Sequence, residues 1–303
     1  MSVHSRITKF RSYIGRVAVI APPFVWMLLF FLLPFAIVLK ISFSESIIAS
    51  PPFAPLFEYD PDEGILNAVF RLFNYQYLIE DSLYIKAYLN SIKIAFVSTI
   101  LCLLIGYPFA LAIARSPRRN QPLLLVAVML PFWTSLLIRV YAWVGILRQD
   151  GVLNNFLLST GIINEPLVLL QTGFATYVGI VYAYLPFMIL PLYAVLEKQD
   201  LTLLEASRDL GASPARSFLD VTWPLSLSGV AAGSMLVFIP VVGEFVIPTL
   251  LSGESTLMIG RVLWSEFFSN RDWPVASAVA VVMLLALIIP IMIFQNVQSK
   301  QRG

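Results

Sequence analysis

The stretch Thr202-Leu-Leu-Glu205-Ala-Ser207-Arg-Asp-Leu-Gly211-Ala-Ser213-Pro214-Ala-Arg-Ser-Phe-Leu-Asp-Val-Thr-Trp-Pro224 is polar, and it separates two long apolar runs, residues 171–196 and 224–251. Each run exceeds the roughly 20 residues a helix needs to cross a bilayer. The segment between them, residues 197–223, is too long for a tight helix–helix connection and carries helix signals of its own. Thr202 and Glu205 stand at capping-box spacing: the Thr oxygen accepts a first-turn N–H while Glu205 reaches back to the N–H of Thr202. This predicts a short helix over 203–210, ended by Gly211 in the left-handed conformation. Ser213-Pro214 then starts a second helix, with Ser as N-cap and Pro at the first helical position. The first small helix sets Leu203, Leu204, Ser207 and Leu210 near one stripe. An apolar stripe outside the membrane needs a cover, either the ends of the chain's own spans or a partner protein.

Working outward, four more apolar runs, 17–41, 87–114, 122–147 and 274–294, bring the expected spans to six. All are too long for strands, and the alternation of a membrane barrel is absent. The first run is too long for a signal peptide and no small-residue cleavage site follows it, so it reads as an uncleaved anchor. Composition agrees: 58% of the 303 residues are hydrophobic and 13% charged, against about 25% charged in soluble domains. Lipid is the solvent that tolerates so much apolar side chain. The fold class expected is all-α, a polytopic transmembrane helical bundle. A six-span domain covers 17–297, with a cytoplasmic basic tail at 1–16, the loop 197–223 inside it and a C-terminal tail at 298–303.

Basic residues set the orientation. Arg6, Lys9, Arg11 and Arg16 lie in the N-terminal tail, Arg115, Arg118 and Arg119 in the second loop, Lys198, Arg208 and Arg216 in the fourth, and Lys300 and Arg302 at the C-terminus. The other face has only Arg71, Lys86, Arg148, Arg261 and Arg271, and most of the acids. Both termini and the loop 197–223 are therefore expected in the cytoplasm. A negative outer face would concentrate a cationic ligand, although the rule for basic residues produces the same asymmetry unaided. Lys40 and Lys93 sit near expected outer span ends, where their stems can snorkel.

Glu205-Ala206-Ser207-x3-Gly211-x9-Val221-Thr222-Trp223-Pro224 resembles the E-A-A-x3-G-x9-I-x-L-P motif of ATP-binding-cassette importer permeases. Spacing matches throughout; Ser207, Val221 and Trp223 replace Ala, Ile and Leu and keep small or apolar character. The resemblance implies the type I importer permease fold, with Glu205, Ala206, Ser207, Asp209, Gly211 and Ala212 in a coupling helix seated in a cleft of an ATPase. It also implies a heterodimer with a second homologous permease, two cytoplasmic ATPase subunits that hold ATP and Mg, and a periplasmic binding protein. Stretches 135–143, 151–156, 179–186, 243–248 and 258–264 are similar to the polyamine branch, most of all to its putrescine permeases. This similarity runs over nearly the whole chain, and it alone brings in a polyamine, putrescine or spermidine.

Glu244 is the one carboxylate inside an expected span. Such a residue is costly in lipid and normally faces a cavity or a partner. Gly229, Gly233, Pro240 and Glu244 lie near one helical face: the glycines permit close helix approach, and Pro240 can bend the helix. The readings are a transient site for an ammonium group, or a structural contact, with Arg139 as one possible ion-pair partner. Aromatic faces suit ammonium groups and the apolar spacer between them, which adds Tyr184, Trp133, Tyr141 and Trp264 to the expected pathway, with Trp143 and Tyr182 as further possibilities; most membrane aromatics serve packing or interface anchoring instead.

Other chemistry is not encoded. The single cysteine, Cys102, and single histidine, His4, exclude a disulfide framework and a Cys/His metal centre. No phosphate-binding Gly-rich loop, His-Glu-x-x-His or nucleophile elbow occurs, so no cofactor and no catalytic residue is expected on this chain. The bases follow the membrane rule and form no nucleic-acid patch. A stand-alone secondary transporter would carry inverted repeats with broken helices in matching halves, which the sequence does not display.

Overall fold

A computed structural model of the chain describes residues 18–60, 65–68, 71–253 and 256–302. The basic residues Arg6, Lys9, Arg11 and Arg16 and the acids Asp62, Glu63 and Glu254 lie outside the described residues. The described residues are mostly helical. In chain order they form α1 (Ala18–Ser42), a two-stranded antiparallel hairpin of β1 (Phe57–Asp60) and β2 (Ile65–Ala68), α2 (Phe73–Glu80), α3 (Ser82–Arg115), α4 (Gln121–Met129), α5 (Leu136–Leu147) and α6 (Val152–Ser159). Then follow α7 (Gly173–Leu196), α8 (Thr202–Asp209), α9 (Pro214–Val242), α10 (Val246–Leu251), α11 (Ile259–Trp264) and α12 (Trp273–Arg302). Among the described residues five helices are long and apolar enough to cross a membrane, and six if one bent pair counts as a single span.

That pair departs from the straight span expected over 122–147. Gln121–Trp133 and Leu136–Ser159 meet at 87°. Pro131 tightens the last turn before the bend. Thr134 seals it, its Oγ1 donating to the Pro131 carbonyl at 2.8 Å, and Ser135 adopts extended backbone. A hydroxyl that satisfies a freed carbonyl makes such a break tolerable in lipid. The fifth span also differs from expectation. It starts at Pro214, passes through a π-turn over Phe218–Thr222 just before Pro224, and stops at Val242. Gly243, Glu244 and Phe245 interrupt it before α10.

The chain divides into two compact units. One holds the described residues up to Glu80 together with Glu266–Val282. In it, Asn74 Nδ2 donates to the Ser42 and Ser44 carbonyls at 2.8 and 2.9 Å, and Ser42 Oγ meets Tyr75 Oη at 2.7 Å. These bonds fasten α2 to the end of α1. Arg71 pairs with Glu45 at 2.6 Å beside a cavity of about 590 Å³ whose lining includes Phe73, Tyr77, Glu266 and Asp272.

The other unit, Asp81–Ser265 with the described residues from Met283 on, is built on α3, α7 and α9. Lipid gives no hydrophobic drive for helices to associate, so close packing of small residues has to hold them. Ala87, Ser91, Ala95, Ser98, Cys102 and Ala110 form the buried stripe of α3. On α9, Gly229 abuts the Pro191 carbonyl and Gly233 abuts Met188 of α7, as a Cβ placed there would meet these atoms at 3.0 and 2.7 Å. Tyr107 Oη and Ser226 Oγ, 2.8 Å apart, join α3 to α9. The glycine face of α9 is therefore a packing face. Pro240, expected on the same face, is exposed and lies off it.

Candidate functional site

Two places combine unusual geometry with reactive chemistry, both in the unit built on α3, α7 and α9. The first is the break after α9. Val242 ends the helix, and the Glu244 side chain turns back to cap the next one: its Oε1 accepts from the Val246 N–H at 3.0 Å and the Ile247 N–H at 3.4 Å. Oε2 accepts from Tyr184 Oη at 2.5 Å. The residue is 8% exposed. Three donors converge on the carboxylate, and among the described residues no cation does. The Arg139 ion pair, one of the sequence alternatives, is absent. Arg139 stands instead with its guanidinium carbon 5.0 Å from the Phe132 ring centroid.

Rings surround the break. Phe245 stacks on Trp264 with centroids 4.5 Å apart and planes 11° from parallel. The contact depends on Gly260: a Cβ there would collide with the Gly243 carbonyl and lie 2.8 Å from the Glu244 carbonyl, so only glycine lets α11 approach so closely. Two anchors hold this segment against α3, the Ile259 N–H donating to Ser91 Oγ at 2.8 Å and Asn90 Nδ2 to the Leu257 carbonyl at 3.0 Å.

Of the pathway residues named from sequence, Glu244, Tyr184 and Trp264 come together at the break. Trp133 and Tyr141 do not join them: they are 76% and 60% exposed, and their side chains have no hydrogen-bond or ring partner among the described residues. Trp143 packs edge-on to Tyr182 at 5.5 Å. Phe245, Phe187 and Phe132 were missed. Phe245 was legible as the neighbour of Glu244; the other two carry no local signal.

The second place is the loop between α7 and α9. Helix α8 has no buried residue. Its N-terminus differs from the capping box expected: Thr202 is already helical, and its N–H is taken by Asp200 Oδ1 at 3.0 Å rather than by Glu205. That N–H holds the Asp200 carboxyl below its ordinary value. An aspartate two residues ahead was a nearer acceptor, and the bond leaves Glu205 exposed. Gly211 takes φ +83°, and Ser213 Oγ accepts from the Arg216 N–H at 3.3 Å, both as read from sequence. Ser207, the departure from the family's Ala, bonds Ser217 across the turn at 2.9 Å and fixes α8 against the foot of α9. The expected stripe splits: Leu204 and Ser207 are half-buried, whereas Leu203 and Leu210 are 47% and 89% exposed. Glu205, Ala206, Asp209 and Gly211 are exposed and Ala212 half-buried.

The chain belongs to the family of binding-protein-dependent transport system inner membrane components, whose model matches residues 3–302. It is thus an inner-membrane transport subunit and not an enzyme. The spermidine/putrescine transport system permease protein PotB of Haemophilus influenzae is 40% identical over 268 residues, 88% of each chain. PotB of Escherichia coli K12 is 37% identical over 269 residues, 89% of this chain and 92% of that protein. Among solved structures, a bacterial alginate ABC transporter in complex with alginate pentasaccharide-bound periplasmic protein matches with a TM-score of 0.70 at 14% identity, covering 95% of each chain. That likeness concerns the fold.

Proposed function

We propose that this chain is one of the two permease subunits of an ATP-binding-cassette importer that carries polyamines, putrescine foremost, across the inner membrane. A second homologous permease completes the pathway, two ATPase subunits power it, and a periplasmic binding protein delivers the solute. The observation that carries the reading is the exposed helix α8 between two membrane helices, with Leu203 and Leu210 uncovered and its base pinned by the Ser207–Ser217 bond. A short helix with exposed leucines calls for a protein cover, and a pinned helix passes a push on to α9. Closure of the ATPases would then act through α8 and α9 on the break at Glu244. Such coupling requires α8 to interact differently with the two states of the ATPase.

The polyamine assignment is supported by the spermidine/putrescine permeases to which the chain is similar and by the chemistry of the break. Putrescine is an extended dication with an apolar centre. A buried carboxylate flanked by Tyr184 and by the stacked pair Phe245–Trp264 offers one charge and adjoining ring faces. The test is uptake of radiolabelled putrescine by cells lacking the chain, complemented with wild type or with Gly211→Val at equal membrane abundance. The expected result is uptake with wild type only, competed more by unlabelled putrescine than by spermidine. Stronger competition by spermidine moves the preference to that solute. No uptake of either by an assembled complex removes the polyamine assignment.

A further inference from the structure

Glu244 and Arg139 carry opposite charges within one unit, and each is incompletely served. The carboxylate has three donors, none of them cationic. The guanidinium has Nε and Nη1 buried without an acceptor among the described residues. A charge in such a setting is expensive, and the contact with Phe132 offsets part of the cost. Pairing with Glu244 would relieve both groups, yet the two are not paired.

A chain of ring contacts links the two groups. Phe132 meets Phe187 edge-on at 5.1 Å, Phe187 lies 6.0 Å from Tyr184, and Tyr184 donates to Glu244. Ring faces stabilise a cation without fixing it in one place, so this row is a track along which either a guanidinium or an ammonium group can approach the carboxylate. Arg139 sits on α5, just beyond the 87° bend, on an element whose angle to α4 is set by two extended residues rather than by a continuous helix.

We propose that Arg139 is a tethered competitor of the transported cation: its guanidinium and the substrate's ammonium group alternate as counter-ion of Glu244. In the state described here the carboxylate is buried and has no cationic partner among the described residues. In the other state of the cycle the guanidinium moves along the ring track, pairs with Glu244 and displaces the ammonium group. A carboxylate that only attracted a dication would retain it; a competing charge supplies the release. The assignment of an ammonium substrate rests on the polyamine reading above, whereas the movement of Arg139 does not.

The experiment uses the complete transporter in proteoliposomes with radiolabelled putrescine. Arg139→Gln is expected to lower KM fivefold or more and to lower the maximal rate, because release loses its competitor; Arg139→Lys keeps the wild-type KM. In a Glu244→Gln background, Arg139→Gln changes KM no further, since the residue acts only through that carboxylate. An unchanged KM in Arg139→Gln, or the same shift in both backgrounds, overturns the proposal. A solute-free arm keeps Arg139 and Glu244, places Val140→Cys on α5 and Val246→Cys on α10, which pack together, in a Cys102→Ser chain and measures cross-linking with a short bifunctional reagent, with and without ATP and vanadate. Cross-linking that depends on the nucleotide state is expected; equal yields in both states overturn the proposal. If wild type takes up no polyamine, the substrate reading falls and the cross-linking arm decides on Arg139 alone.

Discussion

The Glu244 carboxyl finds hydrogen-bond donors in apolar surroundings because the chain breaks where it stands. An uninterrupted helix would spend its backbone N–H groups on itself; the break frees those of Val246 and Ile247 for the carboxylate. Tyr184 supplies the third donor. Removing one donor to a buried charged group costs about 1.5–3 kcal/mol, so Tyr184→Phe should cut uptake about tenfold at unchanged membrane abundance, read by initial rates with radiolabelled solute. Gly260→Ala should do worse. Its Cβ meets backbone carbonyls that cannot swing aside, and overpacking of this kind costs about 1–3 kcal/mol, visible as a lower Tm of the purified complex together with lost uptake. Gly145→Ala is the control: nothing lies within 4 Å of its added Cβ, and a helix-interior Gly→Ala change should hold or raise Tm. In sequence, Glu244 announced itself as the lone acid in an apolar run. Tyr184 could be named only as one aromatic among several, because the contact joins residues sixty positions apart. Arg139 was readable as an intramembrane charge, but not its want of an acceptor, which depends on where α5 points.

At the scale of the element, α8 shows what local signals convey. Gly211 and the Ser213-Pro214 start were read correctly because each depends on its own backbone. The N-terminus was misread because two acceptors, Glu205 and Asp200, compete for one N–H, and the nearer won. Open space surrounds Gly211, so backbone conformation alone restricts it. Asn tolerates φ > 0 and Val does not; Gly211→Asn should therefore keep most of the uptake, and Gly211→Val should lose it with the complex still assembled. The Asp200 cap has a defined pH sense. Its carboxyl lies below the ordinary value of 3.8, so the cap is present above that value and is lost only as pH falls through the lowered one. Hydrogen exchange at the first turn of α8 should be unaffected by protonation of Asp200 between pH 5 and 8, and Asp200→Ala should speed it throughout. The breaks at Thr134–Ser135 and Gly243–Phe245 went unread for another reason. Apolar residues continue across both, and hydropathy reports length without direction. Pro240 suggested a bend that came instead a few residues later, at Gly243.

At the scale of the molecule, six apolar runs were legible because length and hydrophobicity suffice to mark a span. One run proved to be two helices at a sharp angle, and another extends back into the loop that precedes it. In a transport subunit the loop and the break are joined by one element: α8 precedes α9, Glu244 stands in the break that follows it, and α9 runs from one to the other. In the proposed cycle, solute passes Glu244 only when force arrives through α8. The most direct test is uptake of radiolabelled putrescine into proteoliposomes containing the complete transporter and its binding protein, with ATP hydrolysis recorded in the same vesicles. Wild type should show ATP-dependent uptake, and an intact Gly211→Val complex hydrolysis without uptake. Uptake without ATP by this chain alone, or full uptake by Gly211→Val, would contradict that cycle.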